Sequence, residues 1–127
     1  MLTLDETRAR RDATASLHAT AIDACRRAAD ACARRMLGAT GGADGVDGRV
    51  RLAMDGVEVL GTTAGVLARS SPYSTAALAL AEAVAEGCAI AFERDGESDE
   101  AVRACRECAR SCRALRTSVA PARMRAG

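Results

Sequence analysis

The stretch AVRACRECARSCRAL, residues 101–115, constrains the fold more than any other part of the sequence. On a helix, Cys105, Cys108 and Cys112 occupy positions i, i+3 and i+7 and therefore share one face. The charged side chains between them fall mostly on the opposite face: Arg103, Arg106, Glu107, Arg110 and Arg113. This pattern predicts an amphipathic helix whose cysteine-lined face packs against other helices and whose charged face meets solvent.

The composition favours one compact domain spanning residues 1–127, because a chain of 127 residues can bury a core but leaves no room for a second one. Tyr73 and Phe92 are its only aromatic residues, so the core must consist of alanine, leucine, valine, methionine and cysteine. A net charge of +1 gives no general electrostatic case for a nucleic-acid partner. No apolar run approaches the roughly 20 residues of a membrane span, so no membrane partner is expected.

Four stretches show the three-and-four spacing of apolar residues that is typical of amphipathic helices, and no stretch indicates a strand. The predicted helices cover about residues 5–37, 49–69, 72–94 and 99–120. Residues 38–48 contain five glycines and predict a loop. Ser71 and Ser98 are expected to cap the third and fourth helices, with Pro72 at the first position of the third helix and Pro121 ending the fourth. Long helices joined by short connections favour an all-α, antiparallel four-helix bundle.

The helical repeat also assigns side chains to the interior and to the surface. The residues expected to face the interior, apart from the cysteines, include Leu17, Ala21, Ile22, Ala28, Met36, Val50, Ala53, Met54, Val57, Leu60, Leu67, Leu80, Ala81, Val84 and Phe92. Arg35 is expected on the outer face of the first helix. The carboxylates lack the Glu-x-x-His pairing of di-iron bundles and are expected on solvated faces: Asp23, Asp55, Glu58, Glu82 and Glu86.

The chain contains six cysteines: Cys25, Cys32, Cys88, Cys105, Cys108 and Cys112. The first twenty residues carry charge where a signal peptide has an apolar segment, so we expect a cytoplasmic protein. Thiols stay reduced in that compartment, which favours metal or redox chemistry over a disulfide framework. In an antiparallel bundle, Cys88 should lie near Cys105 and Cys108, and the second half of the first helix should reach the same end. The six thiols are therefore expected to converge in one half of the bundle.

Soft thiolate ligands without oxygen ligands favour Cu(I) over magnesium, calcium or manganese. The pairs Cys105/Cys108 and Cys108/Cys112 have a spacing at which two thiolates can hold one ion. Zinc usually requires four ligands, and iron–sulfur clusters are normally wrapped by a loop, so both rank below copper. His18 is a further ligand candidate because it precedes Cys25 on the same general face. The thioethers of Met36, Met54 and Met124 are more typical of core packing, with only the first two expected to face inward.

Four segments of the chain together resemble the cysteine-rich four-helix-bundle copper storage proteins. They are AIDACRRAADACARR, VLARSSPYS, AEAVAEGCAIAFER and AVRACRECARSCRAL, one from each helix or helix turn. The resemblance implies a bundle whose interior thiolates load Cu(I) ions, often as a homo-oligomer. This chain departs from the family pattern because its second helix has no cysteine. At positions where that pattern suggests cysteine, it carries Ala21, Ala28, Gly56, Leu60, Ala81, Ala85 and Phe92.

The leading hypothesis is Cu(I) binding by the interior thiolates for storage, buffering or delivery. Six thiols hold fewer ions than a fully lined core, so a defined site is an alternative to bulk storage. A second hypothesis is a copper–thiolate enzyme on the same scaffold, with a substrate pocket opening at the glycines of the second helix. A third is a metal-free helical module that binds a partner protein.

Overall fold

The computed structural model describes residues 2–38, 48–96 and 99–126, and within the last range it describes the side chains of residues 100–118. These residues form four helices and no strand. The helices are α1 (Leu4–Gly38), α2 (Gly48–Ala68), α3 (Ser74–Arg94) and α4 (Asp99–Ala126). The all-α prediction is confirmed; α1, α2 and α3 lie close to their predicted ranges, whereas α4 continues past residue 120. The glycine-rich loop at 39–47 and the expected cap Ser98 lie outside the described residues.

The helices pack into a bundle in which α1 and α3 each contact both α2 and α4. Contacts between side chains show the relative directions of the helices. Cys25 of α1 meets Cys112 of α4, whereas Cys32, further along α1, interacts with Cys105, earlier on α4. Helices α1 and α4 are therefore antiparallel, as the four-helix-bundle prediction requires.

The first helix begins with a reciprocal cap that the sequence reasoning overlooked. The Thr3 hydroxyl accepts a hydrogen bond from the Glu6 backbone N–H at 3.1 Å, and the Thr3 N–H donates to the Glu6 carboxylate at 3.4 Å. The spacing Thr-x-x-Glu is the signature of this capping box. It satisfies two backbone donors and starts α1 at Leu4, one residue before the predicted start.

The turn between α2 and α3 differs from the predicted cap at Ser71 and Pro72. Ser70 adopts a left-handed conformation with φ of 51°. The N–H of Ser70 donates to Leu67 O, and the N–H of Ser71 donates to Val66 O, so a Schellman motif ends α2. The Ser71 hydroxyl accepts from the Tyr73 N–H at 3.1 Å. Helix α3 consequently starts at Ser74, two residues later than predicted.

The prediction that Pro121 ends α4 is wrong, because the helix continues to Ala126. Proline in a helix removes one backbone hydrogen bond and usually kinks or ends the helix. The residues after Pro121 nevertheless keep helical backbone geometry.

The core consists mainly of alanine, cysteine and leucine; the valines and Met36 that were also expected in it are only partly buried. Its largest fully buried side chains are Phe92, Leu60 and Leu67. Two side chains expected inside lie at the surface instead: Met54 is 38% exposed and Leu80 is 54% exposed. Each lies next to the interior arc of its helix, where a single step of about 100° around the axis decides burial.

Asp95 forms ion pairs with two arginines at the end of the bundle that contains the C-termini of α1 and α3. Asp95 accepts hydrogen bonds from Arg35 at 2.6 Å and from Arg49 at 2.8 Å. The Arg35 guanidinium also lies 4.9 Å from the centre of the buried Phe92 ring. Arg35 was expected on the outer face, but its side chain is only 14% exposed. The Arg35 side chain extends over the end of the core. The ion pairs of Asp95 with Arg35 and Arg49 connect α1, the end of α3 and α2.

Within the described residues, one helix, α3, is long and apolar enough to cross a membrane by length and composition, with a mean hydropathy of 1.5 in its most apolar window. It is the exception to the expectation that no segment is apolar enough to span. About 39% of that window is buried inside the bundle. Core helices of soluble proteins meet the same criteria, because their apolar side chains pack inside the protein.

Candidate metal centre

Three buried thiols from two helices form the most compact group of potential metal ligands in the described residues. The sulfur atoms of Cys25, Cys108 and Cys112 all lie within 4.8 Å of one another. Cys25 Sγ is 3.6 Å from Cys112 Sγ and 3.6 Å from Cys108 Sγ. All three residues have 0% exposure. We call these three residues the first cysteine group.

The remaining cysteines form a second cysteine group, consisting of Cys32 of α1, Cys88 of α3 and Cys105 of α4. Each of the three thiols interacts with the other two, and all three are fully buried. This group is looser than the first, which is the one described group whose ligand atoms all lie within 4.8 Å of one another. The Cys88 thiol donates to the Leu52 carbonyl oxygen of α2 at 3.2 Å, so all four helices border the second group.

The separation into two groups follows from matching spacings on antiparallel helices. Cys25 and Cys32 are seven residues apart on α1, and Cys105 and Cys112 are seven residues apart on α4. Seven residues advance a helix by about 10 Å and nearly complete two turns. Each end of the α1 pair therefore meets one end of the α4 pair. Cys88 completes one group, and Cys108, one turn before Cys112, completes the other.

All six thiols lie in the interior, as the sequence predicted, but their neighbours match the prediction only in part. Cys88 meets Cys105, as the antiparallel arrangement of α3 and α4 predicted. Cys108 instead lies with Cys25. The expected ligand pair Cys108/Cys112 lies within one group, whereas Cys105 and Cys108 belong to different groups.

Hydrogen bonds between thiols divide each group into one acidic sulfur and its protonated neighbours. The Cys108 and Cys112 thiols lower the pKa of Cys25 because their S–H groups stabilise its thiolate. The Cys105 and Cys32 thiols lower the pKa of Cys88 in the same way. Conversely, the pKa of Cys108 is raised by its hydrogen bonds with Cys112 and Cys25, and by burial. The thiols of each group therefore lose their protons in coupled steps. Ionisation of a second thiol in the same group needs a compensating positive charge.

A buried carboxylate lies beside the first group, contrary to the expectation that Glu82 is solvated. Its side chain is 9% exposed and accepts hydrogen bonds from Arg113 at 2.7 Å and from Arg116 at 2.6 Å. These hydrogen bonds, that of Arg116 foremost, lower the pKa of Glu82. The same carboxylate contributes to raising the pKa of Cys112. Arg113 and Arg116 lie close to one turn apart on α4, so both side chains reach the same carboxylate.

His18, Met36, Met54 and Met124 are the other candidate ligands that the sequence offers. His18 is half-buried on α1 and lines a surface cleft with Arg10, Arg11 and Ser70 among others. No compact group of ligand atoms in the described residues includes it. Met36 is partly buried against the core, Met54 is at the surface, and the side chain of Met124 lies outside the described residues.

The seven positions at which the family pattern suggested cysteine are all buried. Four of them are alanines of α1 and α3 with 0% exposure: Ala21, Ala28, Ala81 and Ala85. These positions face the same interior as the thiols but carry no metal ligand. In the described residues, the interior sulfur ligands are thus confined to the two cysteine groups.

Comparison with protein-family models matches residues 12–117 to Csp, the copper storage protein family. Comparisons with curated proteins and with solved structures found no match. The matched range contains all six cysteines and most of the four helices, and the first cysteine group forms a buried cluster that could hold a metal ion. The matched range and the buried thiol cluster agree, and the chain therefore belongs to the copper storage protein family.

Proposed function

We propose that this protein stores a small number of Cu(I) ions, held as cargo by the thiolates of its two cysteine groups. The observation that carries the proposal is the first group, in which three fully buried sulfur atoms from α1 and α4 lie within 4.8 Å of one another. Such a compact, apolar and oxygen-poor set of soft ligands favours Cu(I), which accepts two or three thiolates. The group is less suitable for zinc, because a structural zinc site needs four ligands.

The protonation of the thiols supports a cation as cargo. In each group the pKa of one thiol, Cys25 or Cys88, is lowered, whereas the pKa values of the neighbouring thiols are raised by their hydrogen bonds and by burial. A bound Cu⁺ supplies a compensating positive charge, so loading displaces protons from the group. Because the ion contributes only one positive charge, its binding by two thiolates leaves a net charge of −1 in the core.

We further propose a cytoplasmic location. All six cysteines are free thiols, although two sulfur atoms of the first group lie only 3.6 Å from the Cys25 sulfur. Free thiols so close together are typical of proteins in reducing compartments.

A homo-oligomer is the assembly we propose, formed by packing of α3 against α3 of a second copy. Leu80 and Ile90 are 54% and 50% exposed on this helix, and the exposed residues between them include Ala83. More than half of the most apolar window of α3 is left uncovered by the chain itself. A second copy would bury this apolar surface on both chains.

The enzyme hypothesis finds less support than storage. An enzyme needs a pocket that reaches the copper ligands, but all six cysteines have 0% exposure. The surface clefts between α3 and α4 and between α1 and α4 are lined by other residues. Among the glycines of α2, where the sequence suggested an opening, Gly61 lies at the exposed surface and Gly56 is buried against Cys32.

The proposal is tested by anaerobic titration with Cu(I) in the presence of a competing chelator. Two triple variants serve as matched controls for each other: one replaces Cys25, Cys108 and Cys112 by serine, and the other replaces Cys32, Cys88 and Cys105 by serine. We expect wild type to retain copper against the chelator and each triple variant to retain part of that amount. If wild type releases its copper as readily as the variant with all six cysteines replaced, the proposal is wrong.

A further inference from the structure

The second helix carries no cysteine, yet its backbone forms one wall of the second cysteine group. Gly56 is buried on α2. A Cβ atom built on Gly56 would lie 2.5 Å from Cys32 Sγ, 3.2 Å from Cys32 Cβ and 3.3 Å from Cys88 Sγ. The sulfur atom of Cys32 therefore occupies space that a side chain at position 56 would need.

The carbonyl oxygen of Leu52, one turn before Gly56, belongs to the same part of the α2 backbone that borders the second cysteine group. In an α-helix, this oxygen accepts the backbone N–H of residue 56. It also accepts the Cys88 thiol at 3.2 Å, so Cys88 is aimed at the turn that contains Gly56. Cys32 and Cys88 thus both approach α2 at the point where the helix has no side chain.

A methyl group at position 56 would force Cys32 to move, and the only inexpensive movement is a change of its χ1 rotamer. Cysteine has a single side-chain torsion, with three staggered positions for its sulfur atom. Rotation away from Gly56 carries Sγ away from Cys88 as well, because both sulfur atoms lie close to the same point. Cys32 Cβ would still be 3.2 Å from the new methyl group. The second group would lose the alignment of one of its three sulfur atoms.

We propose that Gly56 is a positioning residue for copper in the second cysteine group: its missing side chain lets Cys32 and Cys88 bring their sulfur atoms together against the α2 backbone. This inference rests on the proposed function, because it assigns a role within one of the two copper-binding groups. Gly56 contacts ligands rather than copper itself, so its replacement acts through the geometry of the sulfur atoms. Replacements of residues that orient ligands typically weaken metal binding by about 10- to 100-fold.

Gly61 offers a matched control in the same helix, because a Cβ atom at this position meets nothing within 4 Å. Both Gly56→Ala and Gly61→Ala add one methyl group and increase helix propensity. The two variants differ in whether the methyl group meets the cysteine sulfur atoms. A difference between them therefore reports on the contact and not on helix propensity.

The experiment uses anaerobic Cu(I) titration of the full chain in which Cys25, Cys108 and Cys112 are replaced by serine, so that only the second group remains. In this background, we expect Gly56→Ala to weaken Cu(I) binding about 10- to 100-fold, whereas Gly61→Ala leaves it unchanged. Ultraviolet absorption of the Cu(I)–thiolate bonds should change in shape for Gly56→Ala only. Equal affinity and equal spectra for the two variants would overturn the proposal.

Two further measurements keep the result interpretable. First, the complementary background, which keeps only the first group, should bind Cu(I) equally well with Gly56→Ala and with Gly61→Ala. A loss of binding with Gly56→Ala there would indicate general damage to the fold and would overturn the positioning role. If neither background binds Cu(I) even with Gly56 intact, the proposed function itself fails.

Second, the contact is tested without copper by urea unfolding of Gly56→Ala in wild type and in Cys32→Ala. Removing the Cys32 sulfur removes the 2.5 Å contact, so Gly56→Ala should destabilise wild type but cost less in Cys32→Ala. A double-mutant cycle with no coupling between the two positions would contradict the proposed contact.

Discussion

At the scale of single residues, Cys25 is central to the first cysteine group. Its sulfur atom is 3.6 Å from the sulfur atoms of both Cys108 and Cys112. It is also the one ligand that α1 contributes, since the other two belong to consecutive turns of α4. Two cysteines on one helix can approach a metal from one side only, and Cys25 supplies the ligand from the opposite side.

We therefore predict that Cys25→Ser weakens Cu(I) binding by the first group more than Cys112→Ser does. Without Cys25, both remaining sulfur atoms come from α4, whereas without Cys112 a Cys25–Cys108 pair still bridges two helices. The measurement is Cu(I) affinity by chelator competition in the background that lacks the second group. Equal losses for the two variants would contradict the central position of Cys25.

The sequence showed which residues carry sulfur into the interior, because the spacing of Cys105, Cys108 and Cys112 matches one helix face. It could not show that Glu82 is buried, because that depends on two arginines of another helix reaching across to it. It also could not show that Gly56 is in contact with Cys32, since the glycines of α2 indicate a place of close packing or an opening but not the residue that they meet. Contacts between helices decide the burial of Glu82 and the contact of Gly56, and spacing along one helix does not contain them.

At the scale of helices, Glu82 connects α3 to α4 beside the first cysteine group. Its carboxylate accepts hydrogen bonds from both Arg113 and Arg116, and the side chain is 9% exposed. Glu93 and Arg106 form a second, more exposed ion pair between the same two helices. The antiparallel packing of α3 on α4 thus has a polar link on each side of the cysteine layers.

We predict that Glu82→Gln lowers the free energy of unfolding at pH 7 by about 1–3 kcal/mol, because hydrogen bonds to a charged group are lost and a partly buried arginine loses its partner. Glu58→Gln is the matched control, since Glu58 is an exposed carboxylate on α2. Urea unfolding of the two variants measures the difference. A loss no larger for Glu82→Gln than for Glu58→Gln would contradict the structural role of Glu82.

Low pH should weaken the ion pairs that Glu82 and Asp95 form with their arginines. The pKa values of Glu82 and Asp95 are lowered in the folded protein, chiefly by Arg116 and Arg49, respectively. A carboxyl group whose pKa is lower in the folded than in the unfolded state stabilises the fold above its unfolded pKa and loses that effect as the pH falls through its folded pKa. The free energy of unfolding should therefore decrease as the pH falls below the ordinary pKa values of these groups, 4.5 for Glu82 and 3.8 for Asp95. Thermal unfolding of the metal-free protein between pH 7 and pH 3 measures this loss of stability. The decrease in Tm over that pH range should be smaller in Glu82→Gln than in wild type.

The four helices themselves were predictable from the repeat of apolar residues, whereas their alignment was not. Whether Cys25 meets Cys105 or Cys112 depends on how far α1 slides along α4, and residues 39–47 place no sequence constraint on that distance. The grouping of the thiols is therefore a property of the packed bundle. The same limit explains Met54 and Leu80, since a small rotation of either helix would bury them.

At the scale of the whole molecule, copper links helices that otherwise meet through small side chains. The first group joins α1 to α4, and the second joins α1, α3 and α4 against the backbone of α2. A ligand that binds only the folded protein stabilises it in proportion to the logarithm of its concentration over Kd. Copper loading should therefore stabilise the bundle as a unit.

We predict that loading both groups with Cu(I) stabilises the protein by at least about 2.7 kcal/mol when free copper is 100-fold above Kd. Anaerobic calorimetry of the metal-free and loaded protein measures the shift in Tm. The variant with serine at all six cysteine positions provides the control and should show no shift. An equal shift in that variant would mean that copper acts elsewhere on the chain.

The exposed face of α3 is expected to govern assembly. Ile90→Glu should shift the protein toward a monomer in sedimentation velocity, because a charge in the proposed interface is costly to bury. Leu37→Glu, at another exposed leucine with 74% exposure on α1, is the control and should leave assembly unchanged. A monomeric wild type at all concentrations would exclude the proposed homo-oligomer.

The central claim is that interior thiolates alone hold Cu(I), and X-ray absorption at the copper edge of anaerobically loaded protein tests it most directly. The account predicts the edge position of Cu(I) and a first coordination shell made only of sulfur, with two or three sulfur neighbours for each copper ion. A shell containing nitrogen or oxygen neighbours, or an edge characteristic of Cu(II), would contradict it.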